Sequence, residues 1–72
     1  MGLKFDRAEL RRQMALRGLS GSDLAELGGI SAASVSHALA GRPVSPATFR
    51  KICSALSARP ELAAGVALLS GE

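Results

Sequence analysis

Hydrophobic and polar positions along residues 20–41 predict two short helices joined by a tight turn. Ser20 is placed to cap the first helix, because its side-chain oxygen can accept from N–H groups that the first turn leaves unpaired. Gly28-Gly29 ends that helix, since the residue just past a helix end commonly adopts left-handed backbone angles that glycine tolerates. The apolar residues of this first helix are Leu24, Ala25 and Leu27. The pattern therefore predicts a sharp bend directly after a short helix.

The second helix of the pair has an apolar face and a more polar one. Ser31 is placed to cap it, and Val35, Ala38 and Leu39 recur at spacings of three and four residues. This spacing puts the three residues on one face, which is expected to meet the core. The residues that fall on the other faces are Ala33, Ser34, Ser36, His37 and Ala40. The second helix is therefore predicted to keep one face free.

A further helix is predicted ahead of this pair. Asp6 can cap a helix that runs to about Arg17, and Leu10 and Met14 lie one turn apart on its core-facing side. Residues 1–5 form a short arm before it. The arm can fold against the first helix or trail along a groove, and the sequence leaves both arrangements open.

Two more helices are predicted after the pair. Ser45-Pro46 signals a helix that runs to about Ala58, because proline fits the first helical position after a capping serine. Its core-facing residues, at helical spacing, are Phe49, Ile52, Cys53 and Leu56. Pro60 then opens a last helix over residues 60–69 that is apolar nearly all round. Such a helix either meets a partner or covers its own core.

A resemblance to a known family lies at these residues. Residues 23–41, DLAELGGISAASVSHALAG, resemble the helix-turn-helix of lambda-repressor-like domains, of the phage repressor, Cro and XRE-like type. They are also similar to the DNA-reading segment of lac-repressor-type regulators. The helix ahead, LRRQMALRGLS, favours the phage-repressor type. The resemblance implies an all-α domain over residues 1–72, a bundle of about five short helices in which helices 2 and 3 form the helix-turn-helix.

The same resemblance implies a small transcriptional regulator, repressor-like or Cro-like and of phage or mobile-element type, that binds double-stranded DNA. Its recognition helix, residues 32–40, would enter the major groove with its first turn and outer face against base edges. The residues expected to read bases are Ala32, Ala33, Ser34, Ser36 and His37. Alanine can touch a thymine methyl group but cannot donate, so His37 is the best candidate for direct readout.

Phosphate contacts are expected on either side of the recognition helix, where the positive charge lies. Residues 1–17 hold five basic and two acidic residues, and residues 42–51 hold three basic residues and no acidic one. The helix that starts at Pro46 can also hold a phosphate by its free amides and dipole, although it can equally be no more than a well-capped helix. The residues expected to contact phosphates are Arg17, Ser20, Ser22, Arg42, Ser45, Thr48 and Lys51.

In repressors of this type the last helix often supplies the dimer contact. We therefore expect a homodimer through Leu62, Val66 and Leu69, with two recognition helices roughly 34 Å apart on a pseudopalindromic site. The alternative is that these residues only cover the core of their own chain.

Composition agrees with this interpretation and excludes others. The 72 residues suit one small domain, and the net charge of +3 with a pI near 10 suits a polyanionic partner. One cysteine, no signal peptide and no apolar run long enough to cross a membrane are typical of a cytoplasmic, nucleoid-associated prokaryotic or phage protein. We expect no cofactor, metal, membrane or small-molecule ligand.

Two other function classes were weighed against DNA binding. A helix-turn-helix whose smooth recognition helix binds a protein, as an antirepressor or antitoxin-type partner, is the alternative that stays open. An enzyme is not expected, because a single histidine and a single cysteine offer no nucleophile–base pair with a third group to orient it.

Overall fold

The computed structural model of the chain describes residues 2–62, and four α-helices dominate them. The helices are α1 (Arg7–Leu16), α2 (Gly21–Gly28), α3 (Ala32–Leu39) and α4 (Pro46–Ser57). The prediction of an all-α fold with a helix-turn-helix formed by the second and third helices is confirmed. None of the helices within residues 2–62 has the length and apolar character needed to span a membrane.

Each of the four helices begins at the residue predicted to cap it. Asp6, Ser20, Ser31 and Ser45 all have extended backbone angles, and each side chain accepts a hydrogen bond from an N–H group of the first turn. Such a cap stabilises a helix by about 1 kcal/mol, because it satisfies a donor that would otherwise lack a partner in the protein. Helix starts in this chain are therefore set by local sequence.

Three of the helices end at a glycine with left-handed backbone angles, and the turn between α2 and α3 shows why. Gly29 has φ of +65°, which a residue with a Cβ adopts only with strain. The reversal lets the N–H of Ile30 donate to the carbonyl of Ala25 at 3.0 Å, and the N–H of Gly29 donate to that of Glu26 at 3.3 Å. Carbonyls that the end of α2 leaves open are thus satisfied within the turn, and α3 can start three residues later.

The core forms where α2 lies between α3 and α4. Leu24 of α2 and Ile52 of α4 are fully buried, and burial of a side chain of this size stabilises the fold by roughly 1.5–3 kcal/mol. The first turn of α2 meets α3: a Cβ on Gly21 would lie 3.7 Å from Cγ1 of Val35. The last turn meets α4, where a Cβ on Gly28 would lie 3.4 Å from the carbonyl of Lys51. The other buried apolar residues are Leu10, Met14, Leu16, Leu19, Val35, Ala38, Val44 and Ala55.

The N-terminal arm folds over the loop between α3 and α4. Leu3 and Val44 exchange two backbone hydrogen bonds of 2.8 Å as an isolated antiparallel bridge. Two residues later, the ring of Phe5 stacks on that of Phe49 with centroids 4.6 Å apart. The sequence had left the arm free to lie on α1 or along a groove; it pairs instead with a loop that is 41 residues away in the chain.

The predicted last helix falls mostly outside the described residues. Glu61 and Leu62 are not helical, and the N–H of Leu62 donates to the carbonyl of Leu16 at 2.8 Å. Val66 and Leu69 lie outside residues 2–62. The described part of the chain therefore has four helices where the sequence predicts about five for the whole.

Candidate nucleic-acid interface

The two faces predicted for α3 are present in the structure. Val35 and Ala38 are buried on the inner side. The opposite side, which we call the outer face, comprises the exposed residues Ala32, Ala33, Ser36 and His37, with Ser34 half-buried at its margin. All five residues predicted to read bases therefore lie on one accessible side of one helix. Their role in reading DNA remains a prediction.

The first turns of α3 and α4 are capped in the same way, by a pair of hydroxyl groups. At α3, Oγ of Ser31 accepts from the N–H of Ser34 at 3.1 Å and donates to Oγ of Ser34 at 3.0 Å. At α4, Oγ of Ser45 makes the same two contacts with the N–H and hydroxyl of Thr48, at 3.1 and 3.0 Å. Neither first turn contains an acidic residue. The positive ends of both helix dipoles are therefore not neutralised by a carboxylate.

Amide donors remain open at both of these helix starts. Within residues 2–62, no hydrogen bond involves the N–H groups of Ala32 and Ala33 in α3, or that of Ala47 in α4. Pro46 has no N–H group to donate. Open amides and a positive dipole end together favour an anion, such as a DNA phosphate.

The starts of α1 and α2 differ, because carboxylates occupy them. At α1, Oδ1 of Asp6 accepts from the N–H groups of Ala8 and Glu9, both at 3.1 Å. At α2, Oδ2 of Asp23 accepts from the N–H of Ser20 at 2.9 Å, while Oγ of Ser20 accepts from the N–H of Asp23 at 3.1 Å. At α1 these contacts use two first-turn amides. At α2 no hydrogen bond within residues 2–62 involves the N–H groups of Gly21 and Ser22, but a carboxylate lies beside them.

The carboxylate of Asp23 is held in its ionised form. Hydrogen bonds from the backbone and then the hydroxyl of Ser20, together with the positive charge of Arg59, lower the pKa of Asp23 below its ordinary value. A phosphate that approached Ser20 or Ser22 would meet this negative charge. Both serines are exposed as predicted contacts must be, but their electrostatic surroundings are the least favourable of the predicted set.

Charge is divided unevenly along the chain. Residues 27–60, which contain α3, the following loop and α4, include no Asp or Glu and four basic residues: Arg42, Arg50, Lys51 and Arg59. Residues 1–26 include five basic residues but also four acidic ones. The acid-free half of the chain is the half that carries the outer face and both hydroxyl-capped helix starts.

Arg42 and Lys51 are the predicted phosphate contacts that lie on this acid-free half as exposed cations. Arg42 directly follows the glycine that ends α3, and its N–H donates to the carbonyl of His37 at 2.9 Å. The position of Arg42 is thus fixed relative to the end of the outer face. Lys51 lies on α4 where that helix passes the end of α2.

Arg17, which is predicted to contact phosphate, makes several hydrogen bonds within the fold. It is half-buried, and its Nε donates to the carbonyls of Leu56 and Arg59 at 2.9 and 3.0 Å. One Nη group donates to the backbone carbonyl of Gln13 at 3.2 Å and also to the side-chain oxygen of Gln13. The guanidinium therefore caps the end of α4, the helix that has no glycine there. We leave Arg17 out of the candidate interface, because its Nε and one Nη group are engaged within the fold, and its contact with phosphate stays a prediction.

The predicted dimer contacts are largely untested by the structure. Leu62 is 48% exposed and packs near Gly18, where an added Cβ would lie 3.0 Å from Cδ1 of Leu62. Val66 and Leu69 lie outside the described residues. Within residues 2–62, no three His, Cys, Asp or Glu side chains are close enough together to hold a metal ion.

Comparison with known families agrees with this geometry. Residues 7–65 match the model of a family described as helix-turn-helix domain, a span that includes all four helices. The match is consistent with the lambda-repressor-like resemblance and does not show the similarity to lac-repressor-type regulators. No curated protein and no solved structure matches the chain significantly.

Proposed function

The chain belongs to the helix-turn-helix domain family, and from this premise we propose that it is a transcriptional regulator that binds double-stranded DNA in a sequence-specific way. In this proposal α3 lies in the major groove with its outer face against base edges. The regulator is repressor-like or Cro-like, of phage or mobile-element type, and acts in the cytoplasm at the nucleoid.

The observation that carries this proposal is the combination of the outer face with the acid-free half of the chain. An α-helix with its side chains is about 10–12 Å in diameter, which fits the width of the major groove, and the small side chains on the outer face of α3 allow close approach. The start of α4 and the cation of Arg42 follow directly after α3, so anion-binding groups lie next to the helix that would read bases. No carboxylate of residues 27–60 opposes DNA there.

Base readout by this outer face is modest. Ala32 and Ala33 offer only methyl contacts, and Ser34 and Ser36 offer single hydrogen bonds. His37 is the one ring that can accept or donate on this face. No side chain among the five can make a bidentate contact to a base, so specificity also depends on DNA shape and affinity depends largely on phosphates.

The proposed phosphate contacts lie after the C-terminal end of α3, in the following loop and in α4. The hydroxyls of Ser45 and Thr48 and the open N–H of Ala47 line one helix start, and Arg42 and Lys51 add positive charge. This set is smaller than the one predicted from sequence, since Arg17 is engaged elsewhere and Ser20 and Ser22 share their helix start with Asp23.

The first test is fluorescence anisotropy of a labelled random-sequence duplex, titrated with the protein at about 50 and about 200 mM salt. Phosphate contacts release counterions, so affinity is expected to fall steeply between the two conditions. A sequence selected from a random pool should then bind more tightly than the random duplex. Absence of any salt-dependent binding would contradict the proposed function.

A second candidate function is favoured by one specific observation. Three of the exposed outer-face residues are alanine or serine, and a surface of such small side chains also allows close packing of a helix from another protein. In this case the domain would act as an antirepressor or antitoxin-type partner. The anisotropy experiment separates the two functions, because a protein-binding module would leave both duplexes unbound at low salt.

We further propose that the protein is a homodimer through Leu62, Val66 and Leu69, which would set two copies of α3 roughly 34 Å apart on a pseudopalindromic site. The alternative is that these residues cover their own core. Val66→Glu should convert a dimer into a monomer in sedimentation analysis at unchanged helix content. An unchanged mass for this variant would remove residue 66 from the interface.

A further inference from the structure

We propose that Lys4 and Arg7 bind a DNA phosphate together with Arg42, at a site that the folded N-terminal arm creates beside the end of α3. We call these three residues the arm cluster. The inference rests on the proposed function and adds to it two residues and a segment that the sequence left without a role.

The N-terminal arm is fixed on both sides of Lys4. Before it, Leu3 is held by two 2.8 Å hydrogen bonds to Val44. After it, Phe5 stacks on Phe49 of α4. The backbone of Gly2 is also packed closely on Pro43, because an added Cβ would lie only 2.5 Å from Cβ of that proline.

The bridge also brings Lys4 close to the loop after α3. Lys4 directly follows Leu3, and Arg42 lies two residues before Val44, so both cations lie within two residues of the bridge. A lysine from the start of the chain is thus added to the segment that leaves the recognition helix.

Arg7, the first residue of α1, contacts the same loop. Its Cδ lies 3.6 Å from the position that a Cβ of Gly41 would occupy, so the stem of the side chain packs on the backbone immediately before Arg42. Lys4, Arg7 and Arg42 are all exposed. Two cations, one from the arm and one from the start of α1, therefore lie beside the loop that carries the third.

Within residues 2–62, no carboxylate forms an ion pair with Lys4, Arg7 or Arg42. The one ion pair within 4.0 Å among residues 2–62 joins Arg12 to Glu9 on α1. Asp6 is close to Lys4 and Arg7 in sequence, but its Oδ1 is engaged by two amides of α1. Three neighbouring cations repel one another in the free protein, and a polyanion relieves that repulsion.

DNA phosphate is the anion that this location favours. If α3 occupies the major groove, the loop at its end lies at the groove edge, where the sugar–phosphate backbone runs. Contacts of this kind position the protein but carry no base information. The arm cluster should therefore strengthen binding to every duplex by the same factor.

The test compares Lys4→Ala and Arg7→Ala with the unaltered protein, on a random duplex and on a selected site. Each variant is expected to bind roughly tenfold more weakly at about 50 mM salt and roughly threefold more weakly at about 200 mM, with a salt slope shallower by about 0.9. The factor should be equal on the two duplexes. Arg12→Ala is the matched control, because Arg12 is an exposed arginine on the side of α1 opposite Leu10 and Met14, and it should bind as the unaltered protein does.

A double variant tests whether the bridge positions Lys4. Leu3→Pro removes the N–H that donates to Val44 and leaves all three cations in place. It should weaken binding as much as Lys4→Ala does, and adding Lys4→Ala to it should cause no further loss.

Three outcomes overturn the inference. One is unaltered affinity and salt slope in both single variants while the wild type binds DNA, which leaves the proposed function standing. Another is a full additional loss from Lys4→Ala in the Leu3→Pro protein, which would mean that the bridge does not position the lysine. Absence of DNA binding by the wild type would remove the proposed function and this site together.

Discussion

The four helices of this domain begin in two chemically different ways, with or without a carboxylate at the helix start. At α1 the carboxylate of the capping Asp6 accepts from two first-turn amides, and at α2 the carboxylate of Asp23 accepts from the N–H of the capping Ser20, so a negative charge lies at the positive end of both helix dipoles. α3 and α4 start at neutral hydroxyl pairs, Ser31 with Ser34 and Ser45 with Thr48. A hydroxyl cap also stabilises a helix, yet it leaves the positive end available to an anion. The comparison teaches that a cap residue can be suited to a ligand as well as to its helix.

A carboxylate placed at one of the two hydroxyl-capped helix starts should have the largest effect on DNA affinity. Thr48→Glu would convert the hydroxyl pair of α4 into a serine–glutamate capping box, which keeps or slightly raises thermal stability. DNA binding should weaken on the order of 100-fold at low salt, because one phosphate contact is lost and a negative charge faces the DNA. Thr48→Gln supplies the neutral control of matched size. If anisotropy showed equal affinities for the two variants, the charge at this helix start would be irrelevant to binding.

Removal of one cation should weaken DNA binding on the acid-free half of the chain and not on the other half. Arg42→Ala, on the acid-free half, is expected to weaken binding roughly tenfold at about 50 mM salt and to reduce the salt slope by about 0.9. Arg12→Ala removes an equal charge from α1 and should leave both quantities unchanged. A loss confined to one duplex sequence would instead assign Arg42 to base readout.

Removal of a capping hydroxyl should have a smaller effect, which can be measured both on stability and on DNA affinity. Ser20→Ala and Ser45→Ala should each lower the free energy of unfolding by about 1 kcal/mol, as measured by urea denaturation. Only Ser45→Ala should also weaken DNA binding, by roughly threefold, because a hydroxyl next to a phosphate is lost. Equal weakening by Ser20→Ala would restore Ser20 as a phosphate contact and would place α2 among the anion-binding helix starts.

The smallest expected effect concerns acid stability. The pKa of Asp23 is lowered in the folded protein by the backbone and hydroxyl of Ser20 and by Arg59, so the unfolded chain binds a proton there more readily. The stabilisation is present above the ordinary value of 3.8 and is lost as pH falls through the lower folded value. Asp23→Asn should therefore show a shallower loss of stability on acidification, followed by circular dichroism. An acid profile identical to that of the wild type would mean that this carboxylate does not contribute.

Local features of this fold could be predicted from the sequence. The capping residues and the glycine turns act within one helical turn, so Ser31 and Gly29 indicated their roles without tertiary information. The spacing of Val35 and Ala38 likewise separated the buried face of α3 from its exposed face, because helical periodicity fixes direction. The outer face is thus the part of the candidate site that sequence predicts best.

Long-range contacts could not be predicted in the same way. Arg17 was expected at DNA because it is basic, but carbonyls 39 and 42 residues away engage it, and no local signal reports that. The bridge between Leu3 and Val44 also joins distant segments. At Leu62 the apolar spacing predicted a helix, whereas its amide pairs with Leu16. In each case the partner is set by how the helices pack.

The guanidinium of Arg17 has a consequence for how the domain unfolds. Helices of 8–12 residues are marginal in isolation, and the last turn of such a helix ordinarily frays many times before the whole molecule opens. Here one side chain ties the final carbonyls of α4 to the end of α1, so that turn cannot loosen without breaking a contact between opposite ends of the chain. Amide hydrogens near the end of α4 should consequently exchange with solvent more slowly in the wild type than in Arg17→Ala, in which that turn is free to fray.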